Sequence, residues 1–261
     1  MASADRPSLD ELRAVAQPPA VVGRVSGEHW AGRLFHRHLS IRITRLLVPT
    51  RLTPNAITST MFLTGLGAAL LLSIPHVWAV ALAVLVIQLQ GILDCCDGEL
   101  ARWRRQTGPA GVYLDRLGHY VTDGSLAVAV GVHAGGGLHS LDGWTTVGLA
   151  AGFLVLLTKA ETDLVHASRA QSGLPPIADT VEVAVPHASL VRRLRRAARS
   201  LPLNRALLAM EMTFLALVAA VVDSVRDDLD ATQVLSVGLL SVAALVVVGH
   251  LLAVVSSARL R

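Results

Sequence analysis

Six apolar segments, each long enough to cross a bilayer, leave this chain little choice of solvent. They fall near residues 57–74, 77–103, 109–132, 143–164, 205–222 and 232–255, and a spanning helix needs about 20 predominantly apolar residues. Of the 261 residues, 52% are hydrophobic and only 16% are charged, which is more apolar sequence than one soluble core of this length requires. The expected fold is an all-α integral membrane protein, a six-transmembrane-helix bundle preceded by an interfacial amphipathic helix.

The charges set the orientation. Arg42, Arg45 and Arg51 precede the first segment, Arg102, Arg104 and Arg105 follow the second, and Arg193, Arg195 and Arg196 lie in the fourth connection. The alternate connections, SIPH, HAGGGLHSLDG and DSVRDDLDA, hold a single arginine between them. By the positive-inside rule the basic side is cytoplasmic, which puts both termini in the cytoplasm of a multi-pass cell-membrane protein. The net charge is +4, carried almost wholly by arginine, with Lys159 the only lysine. Arginine suits phosphate because its planar fork binds two oxygens at once. A nucleic-acid partner would call for stacking aromatics on a basic face, and aromatics are only 4% of the chain, so no nucleic acid is expected.

Residues 1–27 are polar and are expected to be a disordered tail. Residues 28–52 interleave Trp30, Leu34, Leu39, Ile41 and Leu46 with histidine and arginine, the pattern of a juxtamembrane amphipathic helix lying in the interface. His36 and His38 are expected to face headgroups there. The membrane domain then occupies residues 53–261, with a basic cytoplasmic insertion near 165–203 that ends in HASLVRRLRRAARSLP and is expected to lie on anionic lipid. Cys95 and Cys96 are adjacent, so they are read as small packing residues and not as a structural disulfide. His250, alone in the sixth segment, is read as a hydrogen-bonding group of the bundle.

The chemistry concentrates where the second segment ends and the third begins. GILDCCDGELARWRRQTG sets Asp94 and Asp97 three residues apart on a helix, hence on one face, with Gly98 and Ala101 as small neighbours that let a bulky ligand approach. GPAGVYLDRLGHYVTDG sets Gly111, Asp115, Gly118, His119 and Thr122 along one stripe, with Asp123 one turn beyond His119. A carboxylate near a bilayer centre costs about 2.5 to 3.5 kcal/mol, so three or four of them imply a use. Hard oxygen ligands suit magnesium or manganese, and two such ions could bridge a diphosphate. An interhelical ion-pair lattice with Arg102, Arg104 and Arg116 is the structural alternative. A transporter is another, but its pathway would need polar residues spread through the membrane depth, whereas these cluster about one cytoplasmic turn.

Asp94, Asp97, Gly98, Ala101, Arg102, Gly111 and Asp115 follow the pattern DxxDGxxAR and then GxxxDxxxD, and in this the chain resembles the CDP-alcohol phosphotransferases. TPNAIT at 53–58, with Asn55, is similar to the PN-containing entrance of that family's first span. The resemblance implies transfer of a phosphoalcohol or phosphatidyl group from a CDP-linked donor to an alcohol acceptor, with CMP leaving, in phospholipid biosynthesis. It also implies two divalent ions, a homodimer among membrane lipids and a site open to the cytoplasm. Asp94, Asp97 and Asp115 carry over as metal ligands, and Gly98, Ala101 and Arg102, with Gly111, as the donor-binding region.

The last family aspartate is His119 here, which takes its place as metal ligand and as the proposed general base. An imidazole titrating near pH 6.5 is well matched to proton transfer at neutral pH. Asp123 is expected to orient it, as a carboxylate behind a histidine does. The changed ligand set leaves open a catalytically silent CDP-lipid binder. TKAETD at 158–163, DGELAR and GVYLD look closer to the inositol-phosphate-using branch, with CDP-diacylglycerol as donor and a phosphorylated polyol such as inositol phosphate or glycerol phosphate as acceptor. Lys159, Arg116 and the juxtamembrane Arg42, Arg45 and Arg51 are then the candidates to hold the acceptor phosphate, with cytoplasmic-face charge as the alternative reading of each.

Overall fold

The computed structural model describes residues 6–22, 30–139, 141–175 and 203–256, and among them it contains helices and no strand. The first helix, α1 (Leu9–Ala16), stands inside the stretch expected to be disordered. A capping box starts it: the Glu11 amide donates to Ser8 Oγ at 3.2 Å, and the Ser8 amide donates back to Glu11 Oε2 at 2.9 Å. Leu12 and Ala16 then bury themselves against Ile41. The expectation of disorder fails for α1 because four residues, Ser8 to Glu11, carry a start signal and Leu12 and Ala16, at i and i+4, supply an apolar edge.

After the short helix α2 (Pro19–Val22), a π-helical turn at Gly32–His36 leads into α3 (Arg37–Leu47). Trp30, Leu34, Leu39 and Leu46 are exposed, while Ser40, Ile41 and Thr44 are buried. The segment is amphipathic, but its inner side is lined by hydroxyl groups. His36 is buried as well: its Nε2 lies 3.1 Å from Gln88 Oε1, and the ring occupies the space a side chain at Gly91 would need. It therefore packs inside, not toward headgroups.

Six longer helices follow, at the places of the six apolar segments: α4 (Pro54–Leu72), α5 (Val77–Trp103), α6 (Pro109–Ala134), α7 (Gly143–Gln171), α8 (Ala209–Arg226) and α9 (Asp230–Val255). Proline opens α4 and α6 at the first helical position, where its missing N–H costs nothing. Asp142 caps α7, accepting from the Trp144 and Thr145 amides at 2.9 and 3.3 Å. Four of the six, α4, α5, α7 and α9, are long and apolar enough to cross a membrane. In α6 the apolar run is broken by Asp115, Arg116, His119 and Asp123. The insertion expected near 165–203 begins as the last turns of α7, and its basic stretch lies outside the described residues.

The chain divides into two compact units, with boundaries inside α4, α5 and α6. One holds residues 1–68 and 85–121, the other 69–84 and 122–261. In the first, Ile57, Ile92, Cys96 and Leu100 form a core that Ile43, Leu47, Val48 and Leu93 extend. Cys95 and Cys96 are buried free thiols, in keeping with a packing role. In the second, α9 packs along α7 and α8, and α7 meets the C-terminal half of α6 through glycines. A Cβ on Gly131 would stand 2.5 Å from the Gly148 Cα, and one on Gly152 would stand 2.8 Å from the Gly124 carbonyl. Backbones this close require the absence of side chains. Asp223 ties α8 to α9, accepting from the Ala231 and Thr232 amides and from Thr232 Oγ1 at 2.8, 3.0 and 2.6 Å.

Candidate active site

The first unit contains the C-terminal half of α5 and the N-terminal half of α6, and their polar faces meet there. Helical spacing puts Asp115 and His119 one turn apart on α6, and Asp94 reaches them from α5. His119 Nε2 lies 3.2 Å from Asp94 Oδ1 and 3.5 Å from Asp115 Oδ1. One ligand atom from each of the three residues falls within 4.8 Å of the others, and all three side chains are partly exposed. Two carboxylate oxygens gathered on one imidazole nitrogen concentrate negative charge at a point. Two hard oxygens and a borderline nitrogen suit a divalent ion that keeps several waters, and so fit magnesium or manganese.

Asp97 lies one turn along α5 from Asp94 and is buried. Thr58 Oγ1 on α4 donates to its Oδ2 at 2.6 Å, an oriented contact that stabilises carboxylate charge. Thr58 was not singled out in the sequence, although it closes the TPNAIT string one turn after Pro54. Small residues keep the neighbourhood open. The Cβ a side chain would need at Gly111 falls 3.6 Å from Asn55 Oδ1, so Asn55 and Gly111 are neighbours. The space beside Gly98 is taken by the Arg102 guanidinium, whose Nη1 and Nη2 would stand 3.1 and 3.3 Å from such a Cβ. Ala101 is partly buried and Arg116 exposed on the same two helices.

Two expected site residues belong to the second unit and bind each other: Lys159 Nζ lies 2.7 Å from Asp123 Oδ2. The Ala209 amide at the start of α8 donates to Asp123 Oδ1 at 2.8 Å. The sequence pairs His119 with Asp123, at i+4; the structure gives His119 the carboxylates of Asp94 and Asp115, and gives Asp123 an ammonium and an amide. A buried carboxylate gains more from a lysine than from a ring that already has two acidic neighbours. His250 Nδ1 lies 3.9 Å from Glu161 Oε2, an ion-pair separation longer than a hydrogen bond.

Sequence reasoning also missed Glu99, the residue between Gly98 and Leu100 in the DGELAR string. It is completely buried, and both of its oxygens accept hydrogen bonds from the juxtamembrane segment. An acid inside a motif of conspicuous acids gives no separate signal of a scaffolding role.

Fold and site together define a helical membrane protein with an acidic, histidine-bearing cluster that could hold a metal ion. Residues 51–162, which span this site, match the family model of the CDP-alcohol phosphatidyltransferases. It is similar to proteins described as bifunctional IPC transferase and DIPP synthase. The likeness is 39% identity over 103 residues for that of Thermococcus kodakarensis, 35% over 92 for that of Archaeoglobus fulgidus and 32% over 107 for that of Aquifex aeolicus. These alignments take in 39%, 35% and 41% of this chain, but only 22%, 18% and 24% of the respective relatives.

Proposed function

We propose that the protein transfers a phosphoalcohol group from a CDP-linked donor to an alcohol acceptor at the membrane, releasing CMP. CDP-diacylglycerol is the proposed donor and a phosphorylated polyol, such as inositol phosphate or glycerol phosphate, the acceptor. The observation that carries the reading is the convergence of Asp94, Asp115 and His119 on one point beside Asp97. The similarity to bifunctional IPC transferase and DIPP synthases favours the same class of reaction.

In this reading the acceptor hydroxyl oxygen bonds to the β-phosphorus of the donor while the bond to CMP breaks. Asp94, Asp97 and Asp115, with His119, would hold divalent ions, proposed as two magnesium or manganese ions. When bound, these would neutralise charge on the donor diphosphate and the departing CMP. His119, beside Asp94 and Asp115, is the proposed general base for the acceptor proton. Gly98 leaves room for the Arg102 guanidinium, which offers the nucleotide a paired donor fork, and Ala101 is the small neighbour beside it. Arg116 remains the proposed contact for an acceptor phosphate; Lys159, put forward with it from the sequence, is paired with Asp123. The same proposal takes α6 and α8 as the third and fifth of six crossings, with the site and both termini on the cytoplasmic side.

The test is CMP release by the purified protein in detergent, supplied with CDP-diacylglycerol, magnesium or manganese, and a panel of acceptors. Release that depends on metal, on one acceptor and on Asp97, as judged by Asp97→Asn, supports the reading and names the acceptor. Binding of the donor without release under any condition would make the chain a CDP-lipid binder, and no binding at all would remove the assignment.

A further inference from the structure

The C-terminal end of α5 is held from outside the motif. Glu99 Oε1 accepts from Gln17 Nε2 at 2.7 Å and from Ser40 Oγ at 2.6 Å, and Glu99 Oε2 accepts from Thr44 Oγ1 at 2.7 Å. Gln17 Nε2 also donates to the Arg37 carbonyl at 3.0 Å, so this one amide joins the end of α1 to both α3 and α5. One turn beyond Glu99, Arg102 Nε donates to the Ala16 carbonyl at 2.6 Å.

That last bond fixes more than a position. A guanidinium held through Nε has its plane set, while its Nη1 and Nη2 fork stays free of that bond and lies over Gly98, next to Asp97. Arginine binds phosphate best through two parallel donors, and holding the fork in place beforehand removes ordering that binding would otherwise require. The carbonyl that does this belongs to α1, a helix capped at Ser8 and packed on α3 through Leu12, Ala16 and Ile41.

We infer that α1, with Ala16 and Gln17 at its end, is a positioning device for the Arg102 guanidinium, holding its Nη fork over Gly98 to receive the phosphate of the cytidine nucleotide. Gln17 and Leu12 are positioning residues: Gln17 locks the end of α1 to Glu99, and Leu12 seats the helix. The inference rests on the reading that Arg102 contacts the CDP moiety.

The experiment measures binding of CMP, the part common to every CDP-linked donor, to the full-length protein in detergent with magnesium, by calorimetry, alongside thermal melting. Wild type, Gln17→Ala, Leu12→Ala, Arg102→Ala and the Gln17→Ala/Arg102→Ala double variant are compared. Gln17→Ala and Leu12→Ala are expected to weaken CMP binding roughly tenfold, the scale of a misplaced hydrogen bond to a charged group. In the Arg102→Ala background, Gln17→Ala should change CMP binding no further, because both act through one guanidinium. A loss that followed melting temperature alone would persist in that background.

Wild-type affinity in both Gln17→Ala and Leu12→Ala, with affinity lost in Arg102→Ala, would overturn the inference and leave the site reading standing. Additive losses in the double variant would overturn it too. Failure of the wild-type protein to bind CMP would instead remove the reading on which the inference rests.

Discussion

Single side chains at this site divide by what their partner is. Asp123 is buried and balanced by Lys159. Lys159→Met leaves that carboxylate without its cation and is expected to cost about 3–5 kcal/mol, as breaking one side of a buried pair does. Adding Asp123→Leu to it should recover much of the loss in thermal melts, since removing both charges relieves the burial. Thr58→Val deprives Asp97 of a 2.6 Å donor and is expected to destabilise by about 1–3 kcal/mol and to slow CMP release. His119→Ala is expected to abolish release while Asp94 and Asp115 remain. Asp94, Asp97, Asp115 and His119 were legible in the sequence because they recur at motif spacing in otherwise apolar runs. Their partners were not, because one carboxylate at helical spacing has acids, amides and a lysine within reach, and only packing chooses among them. Glu99 stayed hidden for that reason, as did the change of partner at His119.

At the level of helices, legibility followed length. All six long helices stand where apolar segments were read, since runs of that size admit no other backbone structure in lipid. The eight-residue α1 was missed, although its capping box is written in Ser8 and Glu11. The hydrogen bonds from Ser8 hold the Glu11 carboxyl below its usual range. Its folded-state pKa is thus depressed, so the box is fully formed above the ordinary glutamate range and is lost as pH falls through the lowered value. Acid titration by circular dichroism should show α1 fraying first, and Ser8→Ala should cost about 1 kcal/mol of local stability at neutral pH. Two glycines make opposite predictions. Gly131→Ala would drive a methyl into the α7 backbone at 2.5 Å, and thermal melts should show a loss of several degrees or a failure to fold. Gly67→Ala meets nothing within 4 Å and should stabilise α4 by about 0.5–1 kcal/mol.

For the molecule as a whole, the governing fact is that apolar residues such as Leu63, Leu85, Leu245 and Leu251 face outward, which water would not support over so many helices. The protein should stay in the membrane pellet after alkaline carbonate and leave it only with detergent. If the positive-inside reading is right, cysteines placed at Gln106 and at Asp228 will label from opposite sides of the bilayer; labelling from one side would overturn the six-crossing layout. The Lys159–Asp123 pair bears on how α6 and α7 could enter a bilayer. The glycine seam that binds α7 to α6 near Gly131 and Gly148 continues on to a lysine and an aspartate that neutralise each other. The two helices can leave the translocon as one hairpin already carrying its own counterion, so neither charge need meet lipid alone while the later helices are still being made.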